Sequence, residues 1–347
     1  MQKNTCNIYD VAKMAGVSTA TVSRVLNGSD KVSPRTRDKV MDVVTKVGFT
    51  PNAFAKGLGM NTMHTVGILV PTISDTYMAS AVAYLEKELV TYGYDCILSC
   101  SGFELAGKQT KTELLLSKHI DSLIYVGSTY AGNGKDIHTT NYIRRAAKQV
   151  PVFIINGNVA GENIYASVFE DEAAVYEMTG RLIGRGRKHI LFLTDSHSYS
   201  SNNKKKGFRK ALKEAGIDEK DKVLYVENDV YAVKEFLLSL EGKKIDAIIA
   251  ANDDIAIGAV KYALHRGIRI PEDLEIIGYN NSYLAVSSSP EISSIDNHTA
   301  EICKDTVERI IRILSGEENT LKHKISVPCS LVERETTLRE SEESAKL

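Results

Sequence analysis

From residue 66 onward, short apolar runs alternate with stretches of helix length, and this alternation constrains the fold more than any other feature. Runs of four or five residues rich in Val, Ile and Leu are typical of strands buried in a parallel sheet, whose crossover connections are helices. The pattern therefore predicts an α/β fold with parallel sheets. The nine runs lie at residues 66–70, 94–98, 122–126, 152–155, 166–169, 190–193, 222–226, 247–250 and 275–278.

Nine strands are too many for one small sheet, and the polar stretch 157–163 interrupts the pattern about half-way along the chain. We therefore predict two doubly wound parallel-sheet subdomains. Helices at residues 75–92 and 300–314 would cover sheet faces, because each carries apolar residues at helical spacing. These apolar residues are Met78, Val82, Leu85 and Leu89 in the first helix and Cys303, Val307, Ile310 and Leu314 in the second.

The first 58 residues have a different pattern, which predicts an all-α head of three short helices around one small core. Asn7 can cap the first helix, which Gly16 ends. Ser18 can cap the second helix, and Ser33 begins a third that Gly48 ends. The residues predicted to face inward are Ile8, Val11, Ala12 and Ala15, then Val22, Val25 and Leu26, then Val40, Val43, Val44 and Val47.

The second of these helices is the candidate DNA-reading element. Two helices joined by a four-residue turn that contains glycine form a helix-turn-helix, whose second helix fits the major groove. Arg24 can pair bidentately with guanine, while Thr19 and Ala20 can contact a thymine methyl group. Residues 1–58 carry nine Lys or Arg against four Asp, a net charge of +5, so residues 59–347 must hold −6 to give the chain's −1. This asymmetry suits a phosphate backbone at one end only.

The head and the residues after it resemble the lactose-repressor family. The match runs through residues 8–18 (IYDVAKMAGVS), 21–27 (TVSRVLN) and 49–58 (FTPNAFAKGL). The resemblance implies that the last segment forms a short hinge helix on operator DNA, where Leu58 wedges into the minor groove. It implies DNA contacts from Ser18, Thr19, Ala20, Ser23, Arg24, Asn27, Asn52, Ala55 and Leu58.

The resemblance covers nearly the whole chain and also implies the domain boundaries. The family shares its effector core with periplasmic sugar-binding proteins, and its chain crosses between two subdomains three times. Carried over, the crossings fall near Val168, Asp296 and Lys324, so that a strand at 325–332 belongs to the second subdomain. The predicted domains are a head and hinge at 1–58, a linker at 59–64, a first subdomain at 65–168 with 297–324, a second at 169–296 with 325–338, and a charged tail at 339–347.

Polar side chains directly follow most of the predicted strands. In open parallel sheets ligands bind beyond the carboxyl ends of the strands, so these side chains would face a cleft between the subdomains. Converging hydroxyl and amide groups suit a polyhydroxylated small molecule, although the same residue types also favour ordinary turns, and the residues alone leave both interpretations open. The residues that directly follow the strands are Pro71-Thr72, Ser99–Ser101, Gly127-Ser128, Asn156, Asp195-Ser196, Asn252-Asp253 and Asn280-Asn281.

The resemblance assigns effector contacts to Asn156, Lys204, Asn252 and Asn280. Lys204 stands where sugar-binding members often have arginine, and Asn280 where they often have aspartate, so a bidentate charged clamp becomes an ammonium and an amide. We expect a sugar first and another polar metabolite second. In the basic run 204–206 only Lys204 is assigned a role, because a solvated helix start explains the others.

No catalytic, metal or cofactor motif is complete. Residues 127–132 have the glycine spacing of a P-loop, but Asn133 stands where lysine is needed. Residues 195–197 bring Asp, Ser and His together, but neighbours in one loop rarely form a triad. No dinucleotide-binding glycine motif follows a strand, and the histidines lack metal-ligand spacing. We therefore expect no enzyme activity, no cofactor and no metal.

Other features favour a cytoplasmic protein without a membrane partner. The N-terminus is polar, no run of eighteen apolar residues occurs, and the five cysteines lack disulfide or metal spacing. The tail at 334–347 is charged and has no apolar heptads, so we expect a homodimer rather than a coiled-coil tetramer.

The sequence thus predicts a transcriptional regulator, in the first instance a repressor, whose affinity for double-stranded operator DNA is controlled by a small polar, sugar-like effector. The alternative is a cytoplasmic sensor or binding module without DNA action, which would have no need of residues 8–58. The operator, the effector's identity and the docking of a protein co-effector on the core stay open.

Overall fold

The structure is a computed structural model that describes residues 6–26, 28–49, 62–132, 137–317 and 321–339. The chain divides into two units, Met1–Met63 and His64–Leu347. No helix among the described residues is both long and apolar enough to cross a membrane.

Three helices form the first unit, and their ends are those that the sequence predicts. The Asn7 side chain accepts two backbone N–H bonds from the first turn, and Gly16 ends that helix in the left-handed conformation. Ser33 caps the third helix and Gly48 ends it in the same conformation. The helices are α1 (Ile8–Ala15), α2 (Thr19–Leu26) and α3 (Pro34–Val47).

Each of these helices contributes to one small apolar core, as the periodicity predicts. Val11 and Ala15 of α1, Val22 of α2 and Val40 of α3 are fully buried. The later valines of α3 are only partly buried against this core. Because the core fixes α1 and α2 through their inner faces, the outer face of α2 stays available.

In the second unit, strands and helices alternate as predicted, and strands β1 to β9 coincide with the nine apolar runs. The first half contains β1 (Thr65–Val70), α4 (Thr76–Thr91), β2 (Asp95–Cys100), α5 (Leu105–Leu116), β3 (Ser122–Val126), α6 (Asn141–Ala147), β4 (Val152–Ile155) and β5 (Ile164–Phe169). The second half contains α7 (Asp171–Gly184), β6 (Ile190–Thr194), α8 (Tyr199–Glu214), β7 (Val223–Tyr225), α9 (Val230–Ser239), β8 (Ala247–Ala250), α10 (Asp253–Arg266), β9 (Glu275–Tyr279), α11 (Tyr283–Ser287) and β10 (Ser293–Asp296). The chain then forms α12 (Thr299–Leu314), β11 (Lys324–Val327) and β12 (Ser330–Val332).

The strands form two sheets of six, each the centre of a doubly wound subdomain. The first sheet is parallel throughout, in the order β11-β5-β4-β3-β1-β2. The second has the order β12-β10-β9-β8-β6-β7, and only β12 is antiparallel to its neighbour. The predicted fold class is confirmed.

The helix α12 packs on the first sheet although it follows the last strand of the second subdomain in the sequence. Its Cys303, Val307 and Ile310 are fully buried in the same apolar cluster as Leu85 and Leu89 of α4. The apolar spacing predicted for both helices therefore serves one shared core.

The last part of the chain departs from the prediction. The predicted single strand at 325–332 is two strands, because β11 pairs with β5 in the first sheet and only β12 joins β10 in the second. Pro328 lies between them, and proline has no N–H for a strand ladder. The chain therefore crosses after Val327 rather than near Lys324.

Strand β10 was not predicted at all. Two of its four residues are serines, which hide the apolar signal of a strand. Both are buried and satisfied by distant partners, since the Ser293 hydroxyl lies 2.6 Å from that of Thr337 and the Ser294 hydroxyl donates to Asp253 at 2.6 Å.

Candidate functional site

The outer face of α2 carries the residues that are predicted to contact DNA. Ala20 and Arg24 are exposed, while Thr19 and Ser23 are partly exposed. Ser18 accepts a backbone N–H from the first turn at 3.1 Å, so it caps the helix and lies at the same end. These side chains therefore lie on one surface that a DNA groove can approach.

Four other predicted DNA contacts lie outside the described residues. They are Asn27, Asn52, Ala55 and Leu58. Of the hinge segment, only Phe49 is described, and its side chain packs against the core of the head. The four contacts stay predictions from the resemblance.

In the second unit, a cavity of about 550 Å³ lies at the carboxyl ends of the strands of both sheets. Its walls follow β1, β3 and β4 in the first sheet and β6 to β9 in the second. A volume of this size lies in the range of small-molecule sites. All four predicted effector residues line it, namely Asn156 from the first subdomain and Lys204, Asn252 and Asn280 from the second.

Some of the polar strand-end residues instead form hydrogen bonds with other groups of the protein. Ser101 shares a 2.7 Å hydrogen bond with the hydroxyl of Tyr130. Asp253 is buried and accepts hydrogen bonds from two serine hydroxyls, and Asn281 donates to Asp296 at 3.0 Å. For these residues, therefore, the structure favours turn and core chemistry over ligand binding.

The ammonium group of Lys204 is held in the protein interior. The side chain is 5% exposed, and Nζ donates to the backbone oxygen of Ala251 at 2.9 Å and lies 3.3 Å from the ring centroid of Tyr279. The Tyr279 hydroxyl donates in turn to Asp171, which is 1% exposed, at 2.6 Å. Burial lowers the pKa of Lys204 and raises that of Asp171, and the charge of each opposes the shift of the other. Tyr279 thus links two buried charges that stabilise each other.

The protein fixes the amides of Asn252 and Asn280 before any ligand binds. Asn252 caps α10 by accepting the Ile255 N–H at 2.9 Å, and its Nδ2 donates to Asn228 at 3.0 Å. Asn280 accepts a hydrogen bond from Asn297 at 3.0 Å. Such support holds a binding group in one orientation.

Four buried polar atoms of residues that line the cavity have no hydrogen-bond partner among the described residues. They are the Tyr77, Thr129 and Ser200 hydroxyls and Asn156 Oδ1. Tyr77 faces Asn156, and Ser200 faces Asp171, but neither pair has hydrogen-bonding geometry. Because buried polar groups are normally paired, these four atoms indicate a site for a polar ligand.

The cavity also carries four acidic side chains, and the sequence pattern predicts only one of them as a cleft residue. They are Asp75, Asp195, Glu227 and Asp254, and only Asp195 was among the predicted cleft residues. Burial raises the pKa of Asp254 to about 6, with Asp75 and Asp253 adding to the effect. Asp75 caps α4 and Asp254 lies in the first turn of α10, so a search of helix starts after strands would have found both.

We predict that Asp254→Asn stabilises the ligand-free core by about 1 kcal/mol at neutral pH. The ordinary pKa of 3.8 applies when the chain is unfolded, whereas folding raises the pKa to about 6, so the carboxylate penalises folding more as the pH rises through this interval. The gain should therefore be full above about pH 6 and absent below about pH 4. Urea unfolding of both proteins at two pH values measures it, and a gain that is equal at both values would contradict this cause.

The segments that resemble catalytic motifs have other roles. Residues Ser128–Ala131 form a short 3-10 turn. There the backbone oxygen of Thr129 accepts a hydrogen bond from the Lys108 ammonium at 2.9 Å. His197 stacks on Tyr225 and shares a 3.0 Å hydrogen bond with its hydroxyl, while Ser196 bonds Ser198. In the part of the chain that the structure describes, no three His, Cys, Asp or Glu side chains could hold a metal ion.

A helix-turn-helix head and a core with a small-molecule cleft define the class of DNA-binding transcriptional regulators. Two family models match, "Bacterial regulatory proteins, lacI family" at residues 7–52 and "Periplasmic binding protein-like domain" at 179–337. A relative from Lachnoclostridium phytofermentans described as an HTH-type transcriptional regulator is 44% identical over 336 residues, which cover 95% of this chain and 99% of the relative. The chain belongs to the LacI family.

Other relatives agree with this assignment. Catabolite control protein A of Staphylococcus xylosus is 34% identical, over 84% of this chain and 87% of its own. Among solved structures, the lac repressor dimer bound to operator and an anti-inducer matches with a TM-score of 0.86 at 23% identity, covering 97% of this chain and 100% of its own. A CelR–cellobiose complex matches with a TM-score of 0.68 at 23% identity, and the match covers 95% of this chain and 99% of the CelR chain. At these identities the structures establish the fold alone.

Proposed function

We propose that this regulator is a repressor that binds a near-palindromic operator as a homodimer in the cytoplasm. A small polar effector in the core cleft, in the first instance a sugar, sets its operator affinity. A ligand that touches both subdomains favours one arrangement of the core, and it moves the operator equilibrium only by its differential affinity for the two states.

The effector proposal is carried by four buried polar atoms at one cavity that have no partner among the described residues, those of Tyr77, Thr129, Asn156 and Ser200. Tyr77 and Asn156 belong to the first subdomain and Ser200 to the second, so one ligand could satisfy groups on both. The matching CelR structure is a complex with cellobiose, which supports a sugar here as well.

The homodimer proposal is supported by exposed apolar side chains around one sheet edge. Strand β2 is the outermost strand of the first sheet, and α4 and α5 both pack against it. Exposed apolar clusters beside an open edge are typical of protein interfaces. A two-fold dimer would place two heads on inverted half-sites. The exposed side chains are Tyr84 and Val90 on α4, Leu98 on β2, and Leu105 and Leu114 on α5.

We predict that Asn280→Ala weakens effector binding by about 0.5 to 1.5 kcal/mol, because a ligand group loses one hydrogen bond. Operator affinity without effector should stay unchanged. Sugars are first screened by their effect on the unfolding midpoint of the full chain. The binder is then titrated calorimetrically into the wild type, Asn280→Ala and the control Gln149→Ala, an exposed amide outside the cleft.

Equal effector affinity in all three proteins would contradict the assignment of Asn280. Loss of operator binding in Asn280→Ala without effector would contradict the separation of the two sites. A screen in which no sugar binds would contradict the sugar while leaving the DNA-binding assignment untouched.

A further inference from the structure

The cavity has an excess of negative charge. Asp75, Asp195, Glu227 and Asp254 line it, while Lys204 is the only Lys or Arg among its described lining residues. The Lys204 ammonium already binds the Ala251 carbonyl and the Tyr279 ring, and its charge is shared with buried Asp171. The described lining of the cavity therefore sets one shared positive charge against four carboxyl groups.

The carboxylates come from both sides of the cleft and act on one another. Asp75 caps α4 of the first subdomain, whereas Asp195 follows β6 and Asp254 lies in the first turn of α10 in the second. Asp254 feels the charges of Asp75 and Asp195, and Asp75 feels that of Asp195. Like charges in a partly buried site repel, and the repulsion is relieved when a cation lies between them or when one carboxylate takes up a proton.

A single metal ion does not fit this arrangement. No group of three His, Cys, Asp or Glu in the described ranges is close enough to coordinate one. An organic cation is larger and can contact carboxylates that lie further apart, each through its own N–H donor.

A second, independent observation also indicates a ligand that donates hydrogen bonds. Asn156 and Tyr77 are each 8% exposed, and both Asn156 Oδ1 and the Tyr77 hydroxyl have no partner among the described residues. Asn156 Oδ1 can only accept a hydrogen bond. An N–H or O–H of a ligand would satisfy it.

We propose that the effector carries a protonated amine, as an amino sugar does, and that this amine lies among Asp75, Asp195 and Asp254 while other donors of the ligand reach Asn156 and Tyr77. This inference rests on the proposed effector cleft and specifies the chemistry of its ligand. A neutral sugar could satisfy Asn156, but it would leave the repulsion between the carboxylates in place.

Proton release on binding should accompany this interaction. Asp75, Asp195 and Asp253 face Asp254 and help to hold its pKa near 6, and Lys204 faces Asp75 from α8. An ammonium group favours the ionised carboxylate, so binding near pH 6 should release protons and become tighter between about pH 5 and pH 7.

The test uses the full chain and three matched pairs of probes: glucosamine with glucose, galactosamine with galactose, and mannosamine with mannose. Calorimetric titration at pH 6 in two buffers of different ionisation enthalpy gives both affinity and proton release. At least one amine should bind more tightly than its neutral partner and release protons. Asp254→Asn should weaken the binding of that amine by roughly tenfold and abolish the proton release, because a charged hydrogen bond is lost. The control Glu241→Gln, an exposed residue outside the cavity, should match the wild type.

The outcomes separate this inference from the proposed function. If neutral sugars bind as tightly as their amines, or if Asp254→Asn binds the amine like the wild type, the inference is overturned and the effector cleft stands. If no probe of either kind binds, both the amine and the sugar-like effector are overturned. Binding of the amine without proton release would overturn the role of Asp254.

Discussion

Replacing Lys204 by methionine is expected to destabilise the core by about 3 to 5 kcal/mol, because removal of one member of a buried charge pair leaves the other without compensation. The remaining charge would be Asp171, which is 1% exposed and accepts a hydrogen bond from the Tyr279 hydroxyl. Methionine fills a similar volume, so the loss would arise from charge rather than from a cavity. Chemical denaturation of the core measures it.

The matched control is Lys206→Met, two residues along α8, where the side chain is exposed and its ammonium donates to Asn203 at 3.2 Å. It should change stability by less than about 0.5 kcal/mol. In the double variant Lys204→Met/Asp171→Asn both charges are gone, so its loss should be smaller than the sum of the two single losses. Equal stability of Lys204→Met and Lys206→Met would contradict the link between Lys204 and Asp171.

Replacing Arg24 by alanine is expected to cost about 1 to 3 kcal/mol of operator binding at one base pair in each half-site and to relax the preference there. Arg24 is exposed on α2, and its guanidinium can pair with the O6 and N7 of a guanine. Binding is measured by fluorescence anisotropy with operators in which each base pair is changed in turn.

The control Lys46→Ala removes an exposed positive charge from the last turn of α3, outside the DNA-reading helix α2. It should leave base preference unchanged, whatever its effect on affinity at low salt. If Arg24→Ala keeps the wild-type preference at every position, α2 does not read the operator through this residue.

The helices of the head could be predicted closely because their signals are local. Asn7, Gly16, Ser33 and Gly48 cap helices through hydrogen bonds within a few residues, so the sequence pattern contains the whole cause. Strands β1 to β9 were equally accessible, because strands buried on both faces are continuous apolar runs.

The errors arose where distant partners decide the structure. The serines of β10 become acceptable in a strand only because Thr337 and Asp253 bind them. The assignment of β11 to the first sheet depends on its pairing with β5, which lies about 160 residues earlier. Lys205 was expected to be solvated, but it is 4% exposed and its ammonium bonds the Tyr225 hydroxyl at 2.6 Å.

The candidate site also has features that the sequence predicts and features that depend on distant partners. The positions of Asn156, Lys204, Asn252 and Asn280 at one cavity follow from the strand-end rule and the resemblance. The linkage of Lys204 to Asp171 through Tyr279 could not be predicted, because the hydrogen bond between Tyr279 and Asp171 spans 108 residues. The negative charge of the cleft arises only when helix starts of both subdomains come together.

The central claim, that a ligand in the core cleft controls operator binding, is tested most directly by thermodynamic reciprocity in the full chain. Operator affinity is measured with and without saturating effector, and effector affinity is measured with and without saturating operator. The two affinities should change by the same factor, about 5-fold to 150-fold. An effector that binds the cleft while operator affinity stays the same would contradict the claim.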